Sequence, residues 1–131
     1  MTEIQAGTYA LMDVAYGPFA PRFGPALSVL GTVVARHDRR VVVDCGTKVI
    51  GTLDFATALS RWPGLDVFEV HEEHTLLDIV DGTGPSLGDR VELITPYCGG
   101  TANLNDRYHV VVDDEVVDIW PIVAQGSRHS S

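Results

Sequence analysis

Three short stretches of the chain combine side chains that can transfer protons, attack as nucleophiles or bind anions. They are His71-Glu72-Glu73-His74, Asp44-Cys45-Gly46-Thr47-Lys48 and Tyr97-Cys98-Gly99-Gly100-Thr101. Imidazole is the side chain best suited to proton transfer near neutral pH, and a thiolate is a strong nucleophile. Lysine, which occurs only at position 48, can form a Schiff base or bind an anion. Each stretch also has an ordinary structural interpretation.

The histidine pair resembles a metal-binding motif but lacks its spacing. A helical zinc site places two histidines four positions apart, whereas His71 and His74 are three apart and would point to opposite faces of a strand. We therefore favour a solvated acidic turn in front of a strand.

The two cysteines and the lysine have structural interpretations as well. Cys98 needs a cation or a helix N-terminus to lower its pKa, and its sequence neighbours offer none, so a buried and unreactive thiol is favoured. Cys45 lies within an apolar run and is expected in the core. Lys48 is expected to be solvated at the end of a strand. The glycine pair after Cys98 either presents backbone N–H groups to a ligand or reverses the chain.

The elements that position these stretches are predicted to be strands. Eighteen residues are valine, and β-branched or alternating runs predict strands at 32–36, 40–44, 90–94, 108–112 and 115–120, with shorter extended segments at 8–11, 26–30, 67–70 and 75–80. The best helix candidate covers residues 55–61 and stops at a Pro-Gly pair. Closely spaced strands with glycine and proline turns predict an all-β sandwich or closed barrel.

Composition excludes several classes of protein. The chain of 131 residues has a formal charge of −9, all of it within residues 61–131, which disfavours nucleic acid and anionic membrane as partners. No apolar run reaches the roughly 18–20 residues of a transmembrane helix, and the first residues lack a signal-peptide pattern. Two cysteines are too few for a disulfide framework, so we expect free thiols and a cytoplasmic protein. We expect one domain over residues 3–126 and a disordered tail over 127–131.

Six stretches in a fixed order carry a family resemblance. They are Glu3-Ile4-Gln5-Ala6-Gly7-Thr8-Tyr9 with Asp13 and Tyr16, Val43-Asp44-Cys45-Gly46-Thr47-Lys48, Glu72-Glu73-His74, Gly88-Asp89-Arg90-Val91-Glu92-Leu93-Ile94, Asn103-Leu104-Asn105-Asp106-Arg107 and Val117-Asp118-Ile119-Trp120-Pro121-Ile122. Together they resemble the C-terminal domain shared by D-threonine aldolases and eukaryotic-type D-serine dehydratases, which are fold-type III pyridoxal-phosphate enzymes. The resemblance implies a Greek-key β-barrel or sandwich like the alanine-racemase C-terminal domain, with at most one or two short helices.

The chain departs from that family in two ways. The family's cofactor lysine lies on a separate barrel of some 250 residues, so Lys48 does not match it and no cofactor is expected on this chain. The family's divalent metal is held by a His-x-Cys or His-x-Asp pair, six and four positions before the equivalent of Asn103. Those positions are Tyr97 and Gly99 here, which do not supply the ligands of a zinc or manganese site, so no metal is expected.

Three functions follow from the resemblance together with these departures. The first is a stand-alone, cofactor-free enzyme of lyase, isomerase or cyclase type that acts on a polar small molecule. In that enzyme His74 would be the general acid or base, and Tyr97 and Cys98 would line the pocket. The second is a non-catalytic subunit that docks on a separately encoded pyridoxal-phosphate barrel. The third is a small-molecule-binding or scaffold domain, and a homo-oligomer is compatible with all three. The substrate-binding residues that the family pattern implies are Tyr9, Asp44, Lys48, Glu73, Asn103 and Asp106.

Overall fold

The fold is a nearly closed antiparallel barrel of six strands. A computed structural model describes residues 3, 6–53 and 57–123. The barrel strands are β1 Ser28–His37, β2 Arg40–Val43, β3 Leu59–Ser60, β4 Leu65–Val70, β5 Thr75–Ile79 and β6 Arg90–Ile94. Their order in the sheet is β3-β6-β1-β2-β5-β4, and β3 approaches β4 to bring the two edges together. The predicted all-β class is confirmed, and of the two predicted alternatives, sandwich and barrel, the chain forms the barrel.

Helices and a second hairpin complete the described chain. Two 3-10 helices, Thr8–Ala10 and Gly17–Phe19, precede β1, and the helix α1, Cys98–Leu104, follows β6. The strands β7, Arg107–Val112, and β8, Glu115–Pro121, form a separate two-stranded sheet, as predicted. Its turn residues Asp113 and Asp114 have φ values of 50° and 63°, as a two-residue hairpin turn requires.

The barrel core consists of the inward side chains of the central strands. Val41 and Val43 of β2, Leu77 of β5 and Val91 and Leu93 of β6 are all fully buried. Val41 pairs with Leu77 across the β2–β5 ladder, so both side chains point to the same face. The alternation predicted for residues 90–94 is therefore real, and its buried face lies inside the barrel.

Three local predictions were wrong because tertiary contacts override local preference. Leu59 and Ser60, placed in the predicted helix 55–61, instead form β3 and pair with β6, while residues 54–56 lie outside the described part of the chain. The segment predicted as extended at 8–11 contains a 3-10 helix. The stretch from Cys98 is helical despite its two glycines, because α1 packs against a neighbouring loop. The predicted tail, 127–131, also lies outside the described residues.

The antiparallel order gives the barrel two distinct ends. At one end of the barrel, which we name the loop end, strands β2, β4 and β6 finish and strands β1, β3 and β5 start. The loop end carries loop 44–51, turn 71–74 and segment 95–106. The opposite end, the turn end, carries the β1–β2 turn at Asp38 and Arg39 and the loop 80–89. All three chemically interesting stretches therefore lie at the loop end.

Substitution of Gly46 tests how closely the loops of that end approach each other. A Cβ atom on Gly46 would lie 2.2 Å from the His71 backbone oxygen and 2.7 Å from that of Glu72. We expect Gly46→Ala to reduce the free energy of unfolding by about 1–3 kcal/mol, because backbone atoms must move apart. Urea denaturation measures this change. The control Gly24→Ala, whose Cβ would meet nothing within 4 Å, should change it by no more than about 0.5 kcal/mol. Equal stability of the two variants would contradict the close approach.

Candidate functional site

The loop end joins two of the three stretches through backbone hydrogen bonds. The Thr47 N–H donates to the His71 oxygen at 2.8 Å, and the Lys48 N–H donates to the Glu72 oxygen at 3.1 Å. The Lys48 ammonium forms an ion pair with the Glu73 carboxylate, and both side chains are exposed. The structure thus brings the predicted residues Lys48 and Glu73 together on the rim of the barrel.

The same loop holds helix α1 on its other side. The Gly51 N–H donates to Thr101 Oγ1 at 2.8 Å, and the Asn105 side-chain amide donates to the Val49 oxygen at 2.9 Å. A Cβ on Gly51 would lie 2.4 Å from the Thr101 nitrogen, so only glycine permits this contact. Loop 44–51 therefore links turn 71–74 to α1.

A buried carboxylate anchors the start of α1. Asp13 is 2% exposed, and its two oxygens accept hydrogen bonds from the Cys98 N–H at 2.9 Å and the Tyr16 N–H at 3.0 Å. Sequence reasoning did not select Asp13 as a site residue. The available signal was an acid in a matched family stretch, next to the apolar pair Leu11-Met12.

Both cysteines are buried, as expected, and their thiols are protonated at neutral pH. Burial, followed by the nearby Asp13 carboxylate, raises the pKa of Cys98 to about 11. Burial, followed by the charge of Asp44, raises the pKa of Cys45 to about 11. A thiol with this pKa is a weak nucleophile, so in this arrangement Cys98 can line a site more readily than it can attack a substrate.

The other predicted residues occupy separate positions around the loop end. Exposed Tyr9 packs its ring on Phe23, with centroids 5.6 Å apart. Asp44 accepts the Thr32 N–H at 2.6 Å, so its carboxylate is engaged where β1 and β2 diverge. His74 is exposed in turn 71–74, which confirms the expected solvated turn.

Tyr97, Asn103 and Asp106 belong to the segment that contains α1. Tyr97 is the residue before the first turn of the helix and is 36% exposed. Asn103 lies exposed on the helix, and exposed Asp106 follows it, with its backbone oxygen accepting the Ile122 N–H at 2.9 Å. His74 and Tyr97 therefore come from different loops of the same barrel end.

Two concavities of the described residues lie away from these side chains. One, of about 320 Å³, is lined by residues that include Thr52, Glu69 and Pro96, and a second, of about 580 Å³, lies at the turn end. Neither is lined by His74, Tyr97 or Cys98. Of the predicted site residues, Cys98 is buried, whereas the exposed side chains, among them Lys48, Glu73, His74 and Asn103, form an open rim.

The described residues contain neither a cluster suited to a metal ion nor a helix suited to span a membrane. No group of three or more His, Cys, Asp or Glu side chains there is arranged to hold a metal ion. At the positions of the family's metal pair, Tyr97 precedes α1 and Gly99 lies within it, so no imidazole or carboxylate points from either. No helix in the same residues has the length and apolar character needed to cross a membrane.

Replacement of Thr101 tests the contact between α1 and the loop. The Thr101 hydroxyl is buried, accepts the Gly51 N–H and contacts the Thr95 hydroxyl. We expect Thr101→Val to lower the free energy of unfolding by about 1–3 kcal/mol, because the Gly51 N–H loses its partner without access to water. Thr101→Ser keeps the hydroxyl and should retain most of the stability. Chemical denaturation of both variants measures the effect, and equal losses would show that packing and not the hydrogen bond matters.

Thiol labelling tests the protonation of Cys45 and Cys98. With a pKa of about 11 for each, we expect little reaction with iodoacetamide at pH 8 and a rate that rises as the pH approaches 11. Because the folded-state pKa lies above the value of about 8.5 in an unfolded chain, the stability linked to these protons is complete at neutral pH and declines as the pH rises toward 11. Mass spectrometry of the labelled protein, with a urea-unfolded control, measures both thiols. Rapid labelling of the folded protein at pH 7 would contradict this assignment.

Comparison with known proteins places this geometry in a family. Residues 26–111 match the family model described as "Putative serine dehydratase domain". The chain is 37% identical over 133 residues to a D-threonine aldolase of an Arthrobacter species, and the match covers 95% of this chain and 35% of that enzyme. An uncharacterized protein of Mycobacterium tuberculosis is 34% identical over 115 residues, which are 79% of this chain and 86% of that protein.

A solved structure shows the same architecture. The crystal structure of D-threonine aldolase from Filomicrobium marinum superimposes with a TM-score of 0.81 at 30% identity, over 90% of this chain and 34% of that one. The chain thus spans about a third of the length of the aldolases that it matches. Since the family model covers most of the barrel and helix α1, the chain belongs to the serine dehydratase domain family.

Proposed function

We propose that the loop end of this domain forms one wall of the active site of a two-part pyridoxal-phosphate enzyme that acts on β-hydroxy D-amino acids. The other part is a barrel that carries the cofactor, either in the same polypeptide or in a separate chain. The similarity to two D-threonine aldolases supports the substrate class, and the fraction of those enzymes that is matched, about a third, supports the division into two parts.

The observation that carries this proposal is the open rim of polar side chains at the loop end. Lys48, Glu73, His74 and Asn103 are all exposed, and the concavities described above do not enclose them. Active sites exclude water because charge interactions are stronger in a dry cavity, so an open rim requires a second surface to become one. A barrel placed over the loop end supplies that surface.

The N-terminal segment provides an apolar surface beside the rim. The Val14 N–H donates to the Thr95 oxygen at 3.1 Å, and the Ala15 N–H donates to the Pro96 oxygen at 3.3 Å, which fixes the segment at the loop end. Exposed aromatic side chains are concentrated on it: Tyr9, Tyr16, Phe19 and Phe23. Aromatic residues that surround a polar site are typical of an interface between protein surfaces.

The charged pair on the rim matches the groups of an amino-acid substrate. A β-hydroxy amino acid carries a carboxylate, which the Lys48 ammonium can bind, and a hydroxyl group, which can donate to the Glu73 carboxylate, so its amino group stays free to react with the cofactor. The two side chains now neutralise each other in an exposed ion pair, which is worth little in water and is readily exchanged. These residues would hold and orient the substrate.

The chain does not by itself fit pyridoxal phosphate. Its only lysine, Lys48, is exposed and paired with Glu73, whereas a Schiff-base lysine must face an enclosed cofactor. The described residues therefore account for substrate contacts and closure of the site, and the cofactor chemistry belongs to the barrel.

A stand-alone, metal-free lyase, isomerase or cyclase is the second candidate function. The mycobacterial relative favours it, because the matched region makes up 86% of that protein. In this function His74 acts as general acid or base beside Tyr97 and Cys98. It has less support, because His74 lies on a different loop from the other two and burial keeps the Cys98 thiol protonated.

A domain exchange tests the two-part enzyme. We expect the chain alone to give no cleavage of D-threonine with pyridoxal phosphate, and a chimera in which it replaces the matched third of the Arthrobacter aldolase to give measurable cleavage. In that chimera, Lys48→Met and Glu73→Gln should each lower kcat/KM by about tenfold, because a charged substrate contact is lost. The control Arg90→Gln, an exposed arginine at the turn-end start of β6, should not lower it.

Two outcomes would contradict the proposal. One is a chimera that binds the cofactor, as its visible absorbance shows, but whose activity is unchanged by both rim variants. The other is turnover of a small polar substrate by the purified chain without the cofactor, lost in His74→Ala, which would support the stand-alone enzyme instead.

A further inference from the structure

The β7–β8 hairpin stands apart from the barrel with apolar side chains exposed on both faces. It follows α1 at the loop end, and within the described chain its two strands pair only with each other. The large apolar side chains of the hairpin that are more than half exposed are Val111, Val112, Val116, Val117, Ile119 and Trp120.

An isolated hairpin of this kind requires a partner surface. A two-stranded sheet is at best marginally stable in water unless another element covers one of its faces. The exposed apolar side chains of the two faces together amount to on the order of 500 Å², divided between the faces, and apolar area of this kind typically marks an interaction site. The tip of the hairpin is acidic, with Asp113, Asp114 and Glu115 in succession.

A concavity at the turn end of the barrel has an apolar and basic lining, which complements the apolar strands and acidic tip of the hairpin. Its volume is about 580 Å³, and its apolar lining comes from Ala35, Val42 and Ile79. The charged residues that line it are Arg36, Arg39, Arg40, Asp38 and Asp78, with His37 beside them. Three guanidinium groups outnumber two carboxylates, in a chain whose overall charge is −9.

Two of the three guanidinium groups of this concavity, those of Arg36 and Arg40, have recorded side-chain partners. Arg36 donates to the backbone oxygens of Thr83 and Pro85 at 2.6 Å each. Arg40 pairs with Asp78 at 2.6 Å and lies 3.8 Å above the ring of Phe68. The hydrogen bond and charge of Asp78 raise the pKa of Arg40, so the group keeps its charge. Arg39, exposed in the turn, completes the basic rim.

We propose that the occupant of this concavity is the acidic tip of the hairpin of a second copy of the chain. The hairpin begins at the loop end and the concavity lies at the turn end, so two copies packed side by side in opposite directions can each insert a hairpin into the other. Strands of six and seven residues reach about 20 Å, the scale of a short barrel. The reciprocal contact closes a two-fold dimer and leaves no hairpin uncovered.

The charges and the area of the two surfaces support this partner. Carboxylates at the hairpin tip face guanidinium groups at the rim, and the hairpin valines face the apolar lining. Two reciprocal contacts would bury on the order of 1,000 Å² or more, the lower range for a specific association. The loop end and the N-terminal aromatic residues remain outside the contact, so this dimer is independent of the proposed active site.

Sedimentation velocity of the full chain over a range of concentrations tests the dimer. We expect a concentration-dependent dimer that weakens with added salt. Arg39→Glu and Glu115→Arg should each raise the dimer dissociation constant by about tenfold, and the double variant should restore it, because the charges are exchanged across the contact. Val116→Thr, which keeps the side-chain shape, should weaken the dimer as well.

Matched controls separate this contact from general surface effects. Arg22→Glu changes an exposed arginine outside the concavity, and Val123→Thr changes a valine that is 88% exposed beyond the hairpin. Neither should affect the dissociation constant. A monomer at every concentration would overturn the proposal, as would a dimer whose dissociation constant is unchanged in the Arg39, Glu115 and Val116 variants. Failure of the double variant to recover would overturn the assigned pairing of tip and rim.

Discussion

The close backbone packing of loop 44–51 is the contact on which the loop end depends. Two N–H groups of this loop donate hydrogen bonds to turn 71–74. The Gly51 N–H donates to Thr101 in α1, and the Val49 oxygen accepts a hydrogen bond from Asn105. The loop therefore joins segments that are far apart in sequence. Gly46 and Gly51 make both contacts possible, because a Cβ at either position would collide with backbone atoms. Without them, the rim would have no fixed relation between Lys48, Glu73 and α1.

Buried polar groups around this loop are satisfied in a consistent way. Thr95 and Thr101 are both buried, and their hydroxyls contact each other while Thr101 also donates to the Tyr97 oxygen. Asp13 uses both carboxylate oxygens on backbone N–H groups. Over the described residues, every buried side-chain nitrogen or oxygen has a partner. A network that is fully satisfied favours one arrangement of the loops over others.

Buried and exposed polar groups therefore lie at different depths of the same end of the barrel. Asp13 and the two threonines are buried and hold the frame, whereas Lys48, Glu73 and His74, to which the proposed function assigns a role, are exposed. The open rim, the aromatic N-terminal segment and the uncovered hairpin share one property: each exposes a surface that a second surface can cover.

The sequence by itself determined the class of fold and most of the strands. Valine-rich alternating runs predict a β-sandwich or a β-barrel, and Asp113-Asp114 between two such runs is a local hairpin signal. The same local signals did not predict β3 or α1. Strand β3 forms because the edge of β6 pairs with Leu59 and Ser60. Helix α1 forms despite its glycines because it contacts a loop 50 residues away in sequence. The order of stretches indicated which residues belong to one family pattern. Only the tertiary structure decided that Lys48 meets Glu73, that His74 and Tyr97 sit on separate loops and that Asp13 is buried beneath Cys98, because each of these depends on contacts between distant segments.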